Sequence, residues 1–215
     1  MAIDLYAGFM RLILATATIA SLLLAHSGTA QSAETLATLV AGKRYSEATN
    51  FAKQQTPAQV VAQIRPLALK NDTPAQWMLA DAYWRGNQRQ EAIQWAYTAL
   101  VGTQLDVSSC RIKENVVPWM QQTYQAIFRE ARRHPEIQSR ALRFAMQHHA
   151  DQTTLPQDQA WACRIGAHLN GRKPETGTIT SSNDLIWRKR DSSLKSLAKE
   201  AGIKIEIASR ATLTK

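Results

Sequence analysis

Cysteine is almost absent from this chain: of 215 residues, only Cys110 and Cys163 carry a thiol. There is no C-x-x-C pair, so a thioredoxin-like redox motif is excluded. Two thiols so far apart, with no His/Cys pair nearby, also make a poor zinc site. Other signatures are missing too. The chain contains no H-E-x-x-H, no G-x-S-x-G elbow, no Walker loop and no G-x-G-x-x-G fingerprint. Period-2 alternation is lacking between Glu34 and Gly171, and with it any clear strand. Past the first thirty-odd residues no apolar run reaches the roughly 20 residues that span a bilayer.

What is present begins with residues 1–33. Arg11 precedes an apolar run from Leu12 to Ala25, and small residues then offer A-x-A-like exits at Ala30 and Ala33. A positive start, a short apolar middle and small residues at the exit predict a secretory signal peptide, cleaved near Ala30 or Ala33. An uncleaved N-terminal anchor is the alternative. Either way the body is expected outside the cytoplasm, periplasmic and soluble. In that oxidising compartment Cys110 and Cys163 read as a disulfide. It closes a loop of about 54 residues, worth on the order of 3–4 kcal/mol in the chain-entropy account.

The charge is lopsided. Net charge is +9, and from Gly171 to the end ten Lys/Arg face five Asp/Glu. Such a surface favours acidic proteins or anionic envelope surfaces. Export argues against nucleic acid, the usual partner of a basic chain.

The 34–170 region is predicted to be all-α, built from antiparallel helix hairpins. Its sharpest stretch is Ala75 to Leu100. Thr73 is placed as N-cap with Pro74 at the first helical position. Trp77, Leu79, Ala80, Tyr83 and Trp84 form an apolar face, Gly86-Asn87 breaks the helix, and Ala92, Ile93, Trp95, Ala96, Ala99 and Leu100 resume the period. The order L-A-x-A-Y-x-x-G-x-x-x-x-A-I-x-x-A-x-x-A-L resembles one tetratricopeptide repeat, with Trp95 where Sel-like repeats often carry an aromatic. The matching positions are Leu79, Ala80, Tyr83, Gly86, Ala92, Ala96 and Ala99. A weaker echo has Leu36, Leu39, Gly42, Tyr45, Ala48 and Ala52. The resemblance implies stacked hairpins with a concave groove for peptides or partner helices. An Ala-rich hairpin in any all-α domain imitates the same pattern. Pro66 is expected to kink or bound an intervening helix. Further helices are expected over Cys110–His134 (interrupted near Pro118), Pro135–Ala150 and Pro156–Asn170. Among these, Trp119, Tyr124, Ile127 and Phe128 form an apolar stripe while Arg129, Arg132 and Arg133 stay out.

Residues 171–183 read as a linker, rich in Gly, Thr and Ser. The basic tail, 184–215, carries Arg188, Lys189 and Arg190 and is expected to run helix, Gly202 cap, then a strand through Ile203, Ile205 and Ile207, a small α/β appendix. Leu194, Leu197, Ala198, Ala201, Gly202, Ile203, Ser209 and Arg210 are similar to the helix-turn-helix of lac-repressor-type regulators. The pattern L-x-x-L-A-x-x-x-G-I-x-I-x-I also looks like secretin and TonB-type N-terminal modules. Alternating β-branched residues through Lys204 to Ala208 favour the second. An incomplete module, or a strand that pairs elsewhere, is the alternative.

No catalytic constellation stands out. Glu91, Glu114 and Glu130 read as solvated helix-face residues, and His148-His149 point about 100° apart on a helix. No metal and no cofactor is expected, and the chain reads as a non-enzyme. The expected function is an exported adaptor or assembly factor binding another envelope protein or peptide, in a secretion, pilus or conjugation system. The alternative is an inhibitor or immunity protein against a toxin or envelope enzyme. Gln76, Tyr83, Trp84 and Arg85 are the expected partner-binding residues, because Trp, Tyr and Arg dominate interface energetics.

Overall fold

The computed structural model describes residues 34–110, 115–156, 158, 160–172 and 183–208. The expected leader, most of the expected linker and residues 209–215 of the tail lie outside the described residues. Among the described residues ten helices follow one another: α1 Leu36–Ala41, α2 Tyr45–Lys53, α3 Pro57–Ala68, α4 Thr73–Arg85, α5 Arg89–Val107, α6 Val116–Thr123, α7 Gln125–Arg133, α8 Pro135–Asp151, α9 Trp161–Leu169 and α10 Asn183–Glu200. The described residues contain no strand, and the fold is all-α.

Three helix ends close in the same way. After α1, Lys43 N–H donates to Val40 O and Arg44 N–H to Leu39 O. After α4, Asn87 donates to Trp84 O and Gln88 to Tyr83 O; after α10, Gly202 donates to Lys199 O and Ile203 to Ala198 O. These pairs of bonds satisfy the last orphan carbonyls, and they need a left-handed residue at the hinge. Lys43 (φ 60°), Asn87 (φ 59°) and Gly202 (φ 64°) supply it. The glycines expected to break the first two helices, Gly42 and Gly86, sit one residue earlier with negative φ.

The beginning of α4 differs from expectation. Its N-cap is Asp72, whose carboxylate accepts from Ala75 N–H at 2.9 Å; Thr73 is the first helical residue and Pro74 the second. A carboxylate at the positive helix end is a stronger cap than a hydroxyl, and it leaves the Thr73 hydroxyl available elsewhere. Pro66 lies inside α3, and the expected interruption at Pro118 falls instead at Tyr124, between α6 and α7. The third expected helix starts at Trp161 rather than Pro156.

The organiser is α5. It is buried nearly all round from Ala92 to Val107 and packs on α4 and α8 most extensively, then on α6, α7, α9 and α10. Its small residues allow this. A Cβ on Gly102 would stand 2.8 Å from Thr73 Oγ1 and 3.1 Å from both Gln76 Oε1 and His149 Cε1. On the α8 side, Trp95 meets Phe144 and His148 edge-on at 6.1 and 5.8 Å.

Across this packing runs a polar seam. Asp106, the only charged residue between Glu91 and Arg111, is 3% exposed. Its carboxylate accepts from Thr73 Oγ1 (2.8 Å), from Trp161 Nε1 (2.6 Å) and from the Arg190 guanidinium. One side chain on α5 thereby fixes α4, α9 and α10. Arg190 is itself 4% exposed and continues the stripe Ile186, Arg190, Leu194, Ala198 by which α10 docks. Arg190 therefore leaves the expected basic surface, whereas Arg188 and Lys189 are exposed. A stripe recurring every fourth residue is helix-buried whatever its chemistry, provided the charge finds a partner.

Residues 203–208 show the expected alternation without a strand. Ile203, Ile205 and Ile207 pack on the core while Lys204 and Glu206 stay out, and the Ala208 N–H donates to Ala150 O at 3.1 Å. Their apolar face is covered by helices, so no strand partner is needed. A recognition helix through Lys204 to Ala208 does not form.

A second polar group joins α3, α4 and α8. Gln76 Nε2 donates to Ala68 O (3.2 Å) and meets His148 Nε2 at 3.2 Å. His149 Nε2 lies 2.8 Å from Thr98 O, which only an N–H can satisfy. Burial pushes the His148 pKa down to about 4 and holds that of His149 well below its usual range, with neighbouring His148 and Arg190 adding to it. Protonated His148 would set donor against donor at Gln76. Asp72 is shifted oppositely, up to about 6, chiefly by burial, with the Asp106 charge contributing.

Two outcomes are expected. Asp106→Ala leaves Arg190 buried and unpaired and costs about 3–5 kcal/mol in denaturant unfolding. Adding Arg190→Met recovers part of that loss, the remainder being the unpaired Thr73 and Trp161 donors at about 1–3 kcal/mol each. In acid, both histidines bind protons more weakly folded than unfolded, so their contribution is complete above about pH 6.5 and is lost as pH falls toward 4. Asp72 opposes them, contributing below its unfolded value and losing that contribution as pH rises through about 6. Two histidines outweigh one carboxylate. Thermal melts should fall from pH 7 to 5, with a flatter slope in His148→Gln and a steeper one in Asp72→Asn.

Candidate functional site

Three hollows join end to end along the face where α2 and α4 approach α6, α7 and α9. The first, about 490 Å³, is walled by Tyr45 and Thr49 of α2, Trp77 and Met78 of α4, Trp119 and Met120 of α6, and Trp161, Ile165 and Leu169 of α9. The second, about 300 Å³, shares Thr49, Met78, Thr123 and Tyr124 with it and continues past Lys53, Asp81 and Trp84. Trp84 and Ala126 carry the groove into the third, about 470 Å³, whose rim is Arg89, Arg129, Glu130 and Arg133. The groove is thus apolar and aromatic at one end and arginine-rimmed at the other.

Its floor is built into the core. Trp77, 2% exposed, stacks on Tyr124 with centroids 4.4 Å apart, meets Phe128 edge-on, and donates from Nε1 to Thr103 Oγ1 at 3.0 Å. Trp161 is pinned by Asp106. Both indoles are therefore fixed walls, their N–H groups turned inward and satisfied. Trp119 is different: it is 41% exposed. Tyr45 closes the α2 side by donating its phenol to Asp158 Oδ2 at 3.0 Å, and Arg164 pairs with the same carboxylate. Burial and the Asp158 charge push the Tyr45 phenol well above its usual range, so it stays a donor.

The disulfide lies behind this end. Cys110 and Cys163 are bonded, with Cα atoms 5.2 Å apart. Cys110 follows the end of α5, so the bridge ties α9 to the C-terminal end of α5, near Asp106. Cystine and Asp106–Trp161 together hold α9 as one wall of the first hollow.

The four residues expected to bind a partner separate. Gln76 is wholly buried and Tyr83 is 7% exposed; both belong to the interior, because α4 is covered on two sides by α3 and α5. Gln76 is spent on Ala68 and His148. Trp84 does line the groove, at the junction of its second and third hollows, with the Arg89 guanidinium 3.7 Å above its ring. Arg85 is exposed but turned to Asp81 and to the carbonyls of Ala52 and Gln55. The sequence reading missed Trp119, Trp161 and Met120 as groove walls, and Arg89 and Arg129 as its rim. The signal available was the apolar stripe of α6 and α7, too wide to be covered by one neighbour.

Of the three glutamates weighed for catalysis, Glu130 pairs with Arg133 (3.1 Å) and His134 (3.4 Å), Glu91 is exposed, and Glu114 lies outside the described residues. Among the described residues no group of three His, Cys, Asp or Glu gathers as metal ligands, and no helix is long and apolar enough to cross a membrane.

No family model, curated protein or solved structure matches this chain. Function therefore has to be argued from the groove.

The wall residues divide by role, and stability should show it. Trp77→Ala is expected to cost about 3–5 kcal/mol, as for other large core truncations. Trp119→Ala, at a half-exposed site, should cost clearly less than Trp77→Ala, on the order of 1–2 kcal/mol. Chemical denaturation of both variants measures the difference.

Proposed function

We propose that this chain is an exported, non-enzymatic docking protein of the cell envelope, an adaptor or assembly factor that seats a segment of another envelope protein in the α2/α4–α6/α9 groove. The observation that carries the reading is the groove itself. It is long, continuous and lined by fixed Trp, Tyr and Met side chains, the residue types that give interfaces their anchors. Its most exposed indole, Trp119, stands 41% open to solvent on the groove wall. Export is supported by the leader-like residues 1–33 and by the cystine, which persists in oxidising compartments.

Kinship with tetratricopeptide-like repeats belongs to the same proposal. Leu39, Gly42, Ala48 and Ala52 recur as Tyr83, Gly86, Ala92 and Ala96, and the helices before Gly42 and Gly86 end with the same pair of backbone bonds.

A photo-crosslinking phenylalanine analogue placed at position 119, and separately at exposed position 140 on α8, tests the reading in living cells. One discrete adduct with an envelope protein from position 119 and none from 140 is expected. Equal labelling at both positions, or glycan or peptide turnover by the purified chain, would defeat it.

A further inference from the structure

We infer that the groove is polarised for an acidic peptide: carboxylates of the bound segment lie against Arg89 and Arg129, and its apolar side chains run toward Trp119. This rests on the docking reading above and adds the chemistry of the partner.

The charges on the groove wall carry it. The two acids along the second and third hollows are already engaged, Asp81 with Arg85 (2.8 Å) and Glu130 with Arg133 and His134. Arg85 and His134 line none of the hollows, so both acids are engaged partly from behind. Lys53, Arg89 and Arg129 are exposed on the wall and form no ion pair among the described residues. An anionic segment would complete that end.

Arg89 is also held in place. Its guanidinium carbon lies over the Trp84 ring, 3.7 Å from the centroid, and Nη1 donates to Trp84 O at 3.3 Å. The cation–π contact and one backbone bond hold the group and leave its other donors for a carboxylate. A preordered arginine loses less side-chain entropy on binding than a free one.

The opposite end rejects charge. Met78, Met120, Ile165 and Leu169 offer aliphatic walls; of the two basic residues there, Arg164 is already paired with Asp158, and His168 is the other. These walls suit Leu, Phe or Trp side chains of a peptide. Single-stranded nucleic acid fits worse, since it needs successive open aromatic faces along a basic track. Here Trp77 and Trp161 are buried, and the Trp84 face is covered by Arg89.

The test pans a random peptide-display library against the disulfide-bonded protein and sequences the peptides retained. Enrichment of Asp/Glu beside Trp, Phe or Leu is expected. Those peptides should lose about tenfold or more in affinity on Arg89→Glu/Arg129→Glu and on Trp119→Ala. Weakening as salt rises from about 0.05 to 0.5 M should accompany this. Panning against the charge-reversed protein should shift the enrichment to Lys/Arg. All three positions are exposed, and thermal melts of the variants establish that they fold. Peptides that need Trp119 but carry no acidic bias would overturn the polarity and leave the docking reading standing. Retention of no Trp119-dependent peptide would overturn both. Tighter binding of an oligothymidylate than of any selected peptide would overturn the choice of a peptide partner.

Discussion

A carboxylate sealed among helices is tolerable only when every charge and lone pair on it is answered, and Asp106 is answered from three directions. Thr73, Trp161 and Arg190 come from α4, α9 and α10, up to 84 residues away in sequence. The cystine adds a covalent anchor to α9, and Trp77 Nε1 to Thr103 Oγ1 adds a second hydrogen bond between α4 and α5. A buried ion pair is weak evidence of net stability, because desolvation consumes most of the Coulombic gain. What it supplies is position: Asp106 and Arg190 are both buried, and each answers the other only when α10 lies against α5 in this register. The seam therefore specifies position more than it adds stability, and the apolar contacts of α5 supply most of the stabilisation.

The groove inherits its shape from that seam. Trp161 forms a wall because its N–H must reach Asp106, and α9 cannot swing away because Cys163 is bonded to Cys110 one turn beyond. Trp77 forms a floor because its own N–H is held by Thr103. Both indoles turn their polar edge inward and present hydrocarbon to the hollow. A cleft made this way stays open without a ligand, since closing it would break buried hydrogen bonds that water cannot replace. Docking then loses little in reorganisation, which suits a passive binding protein.

Much of the fold was legible because helices declare themselves by period. The α4–α5 hairpin, the helix from Pro135, the cystine and the cap at Gly202 all appear where residue spacing placed them. The N-cap of α4 was misplaced by one residue, since Asp72 and Thr73 are both good capping residues and only the demand of Asp106 for a hydroxyl separates their duties. The tail was misread for a related reason. Alternating Ile203, Ile205 and Ile207 signal a half-buried extended segment, but periodicity cannot say whether a strand or a helix surface covers it. Arg190 shows the limit most clearly. The stripe Ile186, Arg190, Leu194, Ala198 was visible in the sequence, yet a cation in W-R-K-R-D reads as surface until its carboxylate is found.

The groove residues were harder for a general reason. A groove is a property of pairs of helices, and its walls come from residues 45–53, 77–89, 119–133 and 161–169, whose adjacency no local pattern encodes. Aromatic residues on α4 were the natural guess, but helix α4 is covered by both α3 and α5. Enclosure on two sides leaves Met78, Asp81 and Trp84, with one edge of Trp77, to face the groove, and Arg85 to face solvent. Burial assigned Gln76 and Tyr83 to the core, and the same enclosure left Trp84 at the surface to hold Arg89. The arginine end of the groove thus follows from the packing of α4: the one indole that the core could not accept became the platform on which a cation is fixed.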